Sequence, residues 1–256
     1  MMKKFFQKKG RAILACAFAA IFLVSGGLLL AELFSGKSTE NTLSKFVNPS
    51  STAPESQQEL PANPVDFAAL KATNADVCAW IKIPDTRIDY PILQASNGDN
   101  DYYLSHNLYG EYEKVGSIYI ESYNSNDFTD PNTVIYGHNT VNGTMFRDLH
   151  NFRDKEYFDE RTTMYVYTPG HILTYTIFAC HRYDNRHIMK SFNFNDKNVF
   201  AEYLKSCINP KSVIANTRPV EISVDDRIIT LSTCIDSAHN YRLLLQGVLI
   251  SDVETK

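Results

Sequence analysis

Cys234 closes an apolar run, Ile228-Ile229-Thr230-Leu231-Ser232-Thr233-Cys234, and is followed by a polar stretch holding Asp236, Ser237, His239 and Asn240. β-Branched and aliphatic residues in such a run read as a strand, so the thiol is delivered at a strand end, open to solvent. An arbitrary cysteine is more often a small buried apolar residue, and chemistry requires a partner. A cysteine attacks as its thiolate; a neighbouring imidazolium favours that form and later gives a proton to a leaving amine. Val134-Ile135-Tyr136-Gly137-His138-Asn139 repeats the pattern, an apolar strand that ends on a histidine, with Gly137 permitting a sharp exit. His138 and Cys234 are 96 residues apart, so only the fold joins them.

Six other histidines compete for the same role. His106, His150 and His171 sit in expected loops or turns, where solvated roles are common. His181 and His187 belong to one segment, equally suited to line a binding groove. His239, five residues from Cys234, is the strongest local competitor, and spacing alone does not choose among them. Acyl transfer also needs a donor for the tetrahedral oxyanion, typically worth ~3–4 kcal/mol. Arg242 lies eight residues after Cys234 and opens the last strand-like run. If the two runs are neighbouring strands joined by a tight loop, its guanidinium returns to the thiol; otherwise it is a strand-edge arginine pairing with Asp236 or another carboxylate, an interaction of little energy.

The elements that must position these groups are mostly short strands. Strand-like runs rich in β-branched and aromatic residues occur at 79–83, 88–93, 116–120, 133–136, 163–167, 172–180, 227–232 and 241–250. Thr168-Pro169-Gly170-His171 is a turn that makes the fifth and sixth runs a hairpin. A short helix is expected after Val65, and helical spacing returns at 196–208, where Val199, Phe200, Tyr203, Leu204 and Cys207 share one face. That face assigns Cys207 to the core. Many short strands with few helices predict a mainly β domain, a closed or nearly closed barrel carrying helical insertions.

The 256 residues, 44% hydrophobic, suffice for one well-buried globular domain. The net charge of −4 includes Lys3, Lys4, Lys8, Lys9 and Arg11 ahead of the first acidic residue, Glu32, so the remainder carries −9. An acidic body without a basic cluster argues against nucleic-acid binding. Residues 12–31 carry no charge, long enough to span a bilayer as a helix; the basic flank keeps the N-terminus cytoplasmic and exports the rest. A cleaved signal peptide would have a shorter apolar region ending in a small-x-small site, and none is evident. Residues 1–11 are therefore expected in the cytoplasm, 12–34 as a transmembrane signal anchor, 35–64 as a flexible stalk and 65–256 as the folded domain. Five cysteines, an odd count without a short CxxC pair, suggest neither a disulfide framework nor a zinc site; no metal or other cofactor is expected.

Leu231-Ser232-Thr233-Cys234 with Arg242 after it and Tyr136-Gly137-His138-Asn139 before it resembles the sortases, particularly class B. Further matches to that class are Ala79-Trp80-Ile81-Lys82-Ile83-Pro84, Ile88-Asp89-Tyr90-Pro91, Tyr102-Tyr103-Leu104 with His106-Asn107, Gly116-Ser117-Ile118-Tyr119 and Gly143-Thr144-Met145-Phe146. Their order and spacing carry the resemblance over residues 68–250. It implies an eight-stranded sortase-type β-barrel with an N-terminal helix and, in the long connection before the cysteine strand, a helical insertion. By motif position His138, Cys234 and Arg242 take the catalytic roles, and His239 becomes a loop residue. Ser232 and Thr233 are expected to bind substrate beside the thiol, and Tyr183 and Ile188, with Met189 and Phe192, to pack on its apolar residues. The implied reaction is transpeptidation in a Gram-positive cell wall. An exported protein is cleaved after the Thr of a C-terminal sorting motif, of the kind Asn-Pro-x-Thr-Asn or Ser/Pro-Pro-x-Thr-Gly, and joined through a thioester to the amine of a peptidoglycan precursor. The enzyme would be a single-pass membrane protein with its catalytic domain outside. The alternatives are a membrane-tethered cysteine peptidase, whose thioester is resolved by water, and a non-catalytic surface binding module. An L,D-transpeptidase would carry its cysteine in a Ser-His-Gly-Cys-like context, which is absent.

Overall fold

The computed structural model describes residues 60–235 and 240–256. The expected cytoplasmic terminus, membrane span and nearly all of the stalk, with Asp236 and His239, lie outside the described residues. Among those described, no helix is long and apolar enough to cross a membrane.

The fold starts with α1 (Phe67–Thr73), where the Asp66 carboxylate accepts from the Ala69 N–H and caps the helix. Nine strands follow among the described residues: β1 (Val77–Lys82), β2 (Asp89–Leu93), β3 (Ile118–Ile120), β4 (Asn132–Tyr136), β5 (Thr163–Thr168), β6 (His171–Asp184), β7 (Ala215–Thr217), β8 (Ile228–Cys234) and β9 (Tyr241–Glu254). Between β4 and β5 lie a 3-10 segment, Phe146–Arg153, and α2 (Lys155–Glu160); between β6 and β7 lie α3 (Ile188–Ser191) and α4 (Lys197–Ile208).

Hydrogen bonding runs β5-β1-β2-β3-β4-β8-β9-β6, and β6 returns to β5. Eight strands thus close a barrel with no open edge, and β7 adds to the later half of β6 as a ninth. Closure depends on β6 and β9, paired from His171↔Glu254 to Asp184↔Tyr241 with register shifts at Thr174/Tyr175 and Ile177/Ala179. Such irregularities bend and twist a strand, as a barrel wall requires. The β5–β6 hairpin turns at Pro169-Gly170, where Gly170 has φ 93°.

Both faces of the β4–β8–β9 wall are buried. Ile135, Ile229, Leu231, Leu243 and Leu245 join the barrel interior with Trp80 and Ile92. On the outer face Val134, Phe178, Ile228, Leu244 and Val248 meet Phe200, Tyr203, Leu204 and Cys207 of α4. Two-sided burial explains why these strands read as nearly continuous apolar runs rather than alternating ones. Each large α4 side chain so buried contributes about 1.5–3 kcal/mol. The same layer holds a polar knot. Fully buried Gln246 accepts from His181 Nε2 at 3.1 Å and donates to Tyr203 Oη at 3.2 Å and Cys207 Sγ at 3.0 Å.

The last turn of the sixth run differs from expectation. β6 continues four residues past Cys180, and His181 is a 4% exposed strand residue rather than part of a groove loop, because β9 is long enough to pair with it throughout.

Candidate active site

Parallel strands carry their C-terminal ends to the same edge, and β4 and β8 are parallel neighbours with Tyr136↔Ser232 as their last pair. His138 and Cys234 each lie two residues beyond that pair, which is how the fold spans their separation in sequence. The junction is tied twice: the Gly137 N–H donates to the Ser232 carbonyl at 3.2 Å, and Thr233 Oγ1 donates to the Gly137 carbonyl at 2.8 Å. Gly137 is needed for space rather than for an unusual φ. A Cβ there would stand 2.4 Å from Ile118 Cδ1 and 2.8 Å from Phe146 Cδ2.

Antiparallel pairing of β8 with β9 sets Arg242 directly across from Cys234. Side-chain alternation puts both on the outer face of the wall, with Thr230, Leu244 and Gln246, and Arg242 Nη1 donates to Cys234 Sγ at 2.6 Å. His138 Nε2 lies 2.9 Å from the Leu104 carbonyl. A carbonyl only accepts, so Nε2 carries the hydrogen and, in the neutral ring, Nδ1 keeps its lone pair.

His138, Cys234 and Arg242 line one cleft of about 230 Å³, walled by the Asp101–Leu104 turn on one side and by Arg186, His187 and Ile188 on the other. Ser232, Thr233 and Ile188 also line it, and the Thr233 hydroxyl spends its hydrogen on the strand junction. Tyr183 does not line it. It stands opposite Arg242 on β6, but its ring packs on the outer apolar layer beneath the Arg186 guanidinium. Met189 and Phe192 instead line a neighbouring cavity of about 350 Å³.

Tyr119 and Tyr136, which the sequence offers only as members of motifs, line the cleft together with Glu121, which no motif singles out. Tyr119 and Tyr136 stack with ring centroids 5.5 Å apart below the thiol row, and burial pushes both phenols up, so they are uncharged. Glu121, 8% exposed, faces His187 with Oε2 and Nε2 2.8 Å apart. The two form a close ion pair, with the Tyr136 hydroxyl beside them, and none of the three polar atoms makes a hydrogen bond of good geometry. Burial raises the Glu121 pKa against the opposing pull of His187, Tyr136 and Lys190. Tyr119 lies on the strand-like run 116–120 and Glu121 directly follows it, which is the one signal in the sequence for that carboxylate.

The other histidines separate clearly. His106 donates to the Tyr102 carbonyl, His171 pairs with Asp252, and His181 belongs to the Gln246 knot. His150, expected in a solvated turn, is half-buried with Nε2 3.1 Å from the Cys234 carbonyl. Cys78, Cys180 and Cys207 are buried, and burial pushes each thiol up to about 12. Among the described cysteines this leaves Cys234 as the partly exposed one. A larger cavity of about 540 Å³ lies at the opposite barrel mouth, but its sulfur is the inert Cys78 and its His171 and Arg227 are both engaged by Asp252. Among the described residues no group of three His, Cys, Asp or Glu is placed to hold a metal ion.

The family model described as Sortase domain matches residues 81–250. Sortase B of Listeria monocytogenes is 36% identical over 243 residues, covering 90% of this chain and 93% of that protein. The X-ray structure of Clostridium perfringens sortase B superposes with a TM-score of 0.66 at 32% identity, over 73% of this chain and all of that one. A Staphylococcus aureus sortase B–substrate complex gives a TM-score of 0.64 at 25% identity, over 76% of this chain and 88% of that one.

Proposed function

The chain belongs to the sortase family of cysteine transpeptidases, and on that premise we propose that Cys234 is its nucleophile, Arg242 its oxyanion donor and His138 its general acid and base. The observation that carries these roles is the Arg242–Cys234 contact at 2.6 Å, in a cleft that His138 also lines.

Cys234 Sγ attacks the Thr carbonyl carbon of a sorting motif, and the oxygen takes up negative charge beside the Arg242 guanidinium. The C–N bond then breaks, the leaving amine takes a proton from His138, and a thioester remains. An acceptor amine attacks that thioester, gives its proton to His138 and expels the Cys234 thiolate. The net result is one amide exchanged for another. Ser232, Ile188 and the polar pocket of Glu121 and His187 would hold the motif, a pentapeptide of the Asn-Pro-x-Thr-Asn or Ser/Pro-Pro-x-Thr-Gly kind. That the Staphylococcus aureus sortase B forms a complex with its substrate supports reading this cleft as a substrate site. The acceptor would be the amine of a peptidoglycan precursor. Residues 12–34 would anchor the chain with its N-terminus in the cytoplasm, and residues 35–64 would tether the catalytic domain, 65–256, outside the membrane.

The test is to incubate the detergent-solubilised full-length protein with peptides of both kinds, with and without amine acceptors, and to read products by mass spectrometry. Cleavage after Thr, an acyl adduct on Cys234, amine-dependent ligation and loss of all three in Cys234→Ala are expected. Cleavage that never transfers to an amine would make the protein a peptidase, and a wild-type protein that cleaves no peptide would leave a binding module.

A further inference from the structure

The bond between His150 and the main chain of Cys234 has a structural reason. In a strand, the N–H and C=O of one residue point the same way and those of the next point oppositely. The Ile235 N–H donates to the Tyr241 carbonyl on the β9 side, so the Cys234 carbonyl faces the β4 side. There β4 has already ended; its last pair is Tyr136↔Ser232, and the Gly137 N–H is engaged by the Ser232 carbonyl. The Cys234 carbonyl therefore projects beyond the ladder, and a carbonyl in such a place needs a donor from elsewhere.

His150 supplies it. The carbonyl can only accept, so Nε2 carries the hydrogen of the 3.1 Å bond. The ring is presented by the Phe146–Arg153 segment, fastened by buried Phe146, Leu149 and Phe152. Burial lowers the pKa of His150; the bond to Cys234 opposes this, and nearby Arg147 and Arg153 reinforce it. At neutral pH the ring is an uncharged donor with a single task.

We propose that His150 is a positioning residue for the nucleophile: by holding the Cys234 carbonyl it fixes the end of β8, and with it the direction in which the thiol meets Arg242 and the incoming carbonyl. The inference rests on the reading of Cys234 as nucleophile. Displacement of a reacting atom by a fraction of an ångström changes the chemical step more than it changes binding.

The experiment compares His150→Met, similar in bulk without a donor, with His150→Gln, which offers an N–H at comparable reach, both in the detergent-solubilised full-length protein. Two rates are read, cleavage of a sorting peptide and alkylation by iodoacetamide, with the adduct located on Cys234 by mass spectrometry. The Met variant should lose about 3- to 10-fold in kcat with KM held within about 2-fold, and alkylate more slowly, while the Gln variant recovers most of both. Wild-type rates in the Met variant, or equal losses in both, would overturn the proposal. If the Met variant does not fold, the Gln variant decides alone: a kcat within about 2-fold of wild type supports the role and a loss beyond about 10-fold rejects it. Alkylation needs no peptide, so a protein that cleaves no sorting peptide yet keeps this order of alkylation rates rejects the transpeptidase reading and retains the positioning role.

Discussion

Two polar clusters sit on the outer face of the same barrel wall, and they are satisfied to different degrees. At Gln246 the carboxamide oxygen and nitrogen reach His181, Tyr203 and Cys207, and the knot fastens α4 to the strands beneath it. Toward the cleft, Glu121 Oε2, His187 Nε2 and Tyr136 Oη crowd together without a directed hydrogen bond among them. Nearly all buried polar atoms in folded proteins are bonded. Tyr183 Oη in the same layer and Asn132 Nδ2 on β4 also lack a partner, so the deficit is not peculiar to this group; what sets Glu121, His187 and Tyr136 apart is that they line the cleft. Satisfied groups there hold the fold; unsatisfied ones remain where a ligand's polar atoms can complete them.

The largest effect should come from the cleft and should be kinetic. Arg242→Met is expected to lower kcat about 10²- to 10³-fold, the usual cost of one oxyanion donor, with little change in the unfolding midpoint. Steady-state kinetics and thermal melts on the same preparation check both halves. A loss under tenfold would remove Arg242 from the oxyanion site and blur the contrast between the two clusters.

The mirror experiment acts on the knot and should be thermodynamic. Gln246→Leu leaves His181, Tyr203 and Cys207 without their partner, so unfolding in denaturant should show a loss of about 2–3 kcal/mol. The kcat of the folded fraction should not change. If it falls, the knot is part of the catalytic apparatus and the division is wrong.

Much of this arrangement was legible in the sequence because it rests on strands that announce themselves. The runs ending at Cys234 and His138 are rich in β-branched residues, Arg242 opens the next run, and the Cys207 face of α4 repeats at helical spacing. Barrel closure followed from the number of short strands. β7 and α2 escaped notice because each is short and offers few apolar positions. Glu121 and His150 escaped for a different reason: one contact depends on which loops meet across the sheet, and the other is made to a backbone carbonyl, which has no sequence signature. Tyr183 was misplaced because an extended β6 turned an expected loop residue into a wall residue. The sequence offers Gly137 as a sharp exit from its strand, whereas the structure makes it a point of close approach. Gly137→Ala should therefore cost about 1–3 kcal/mol through overpacking against Ile118 and Phe146. It should also lower kcat by displacing His138, which joins the two kinds of effect in one residue on the seam between strand and cleft. A variant with wild-type stability and rate would show that Ile118 and Phe146 yield without cost.

The smallest effect probes the unsatisfied cluster itself and turns on a sign. Burial raises the pKa of Glu121 in the folded chain, more than His187, Tyr136 and Lys190 lower it. Between its unfolded value, about 4.3, and its higher folded value, the native state binds more protons than the unfolded chain. Stability from this group is therefore complete below the unfolded value and is lost as pH rises through the folded one. Glu121→Gln carries a neutral side chain of the same shape at every pH. The variant should match wild type near pH 4 and exceed it near pH 8 by about 1 kcal/mol or less, seen as a small upward shift in melting midpoint. A variant less stable near pH 8 would mean that the ion pair with His187 outweighs the burial of the carboxylate. Glu121 and His187 would then be a structural fastening like Gln246, and the floor of the cleft would owe its chemistry to Tyr136 alone.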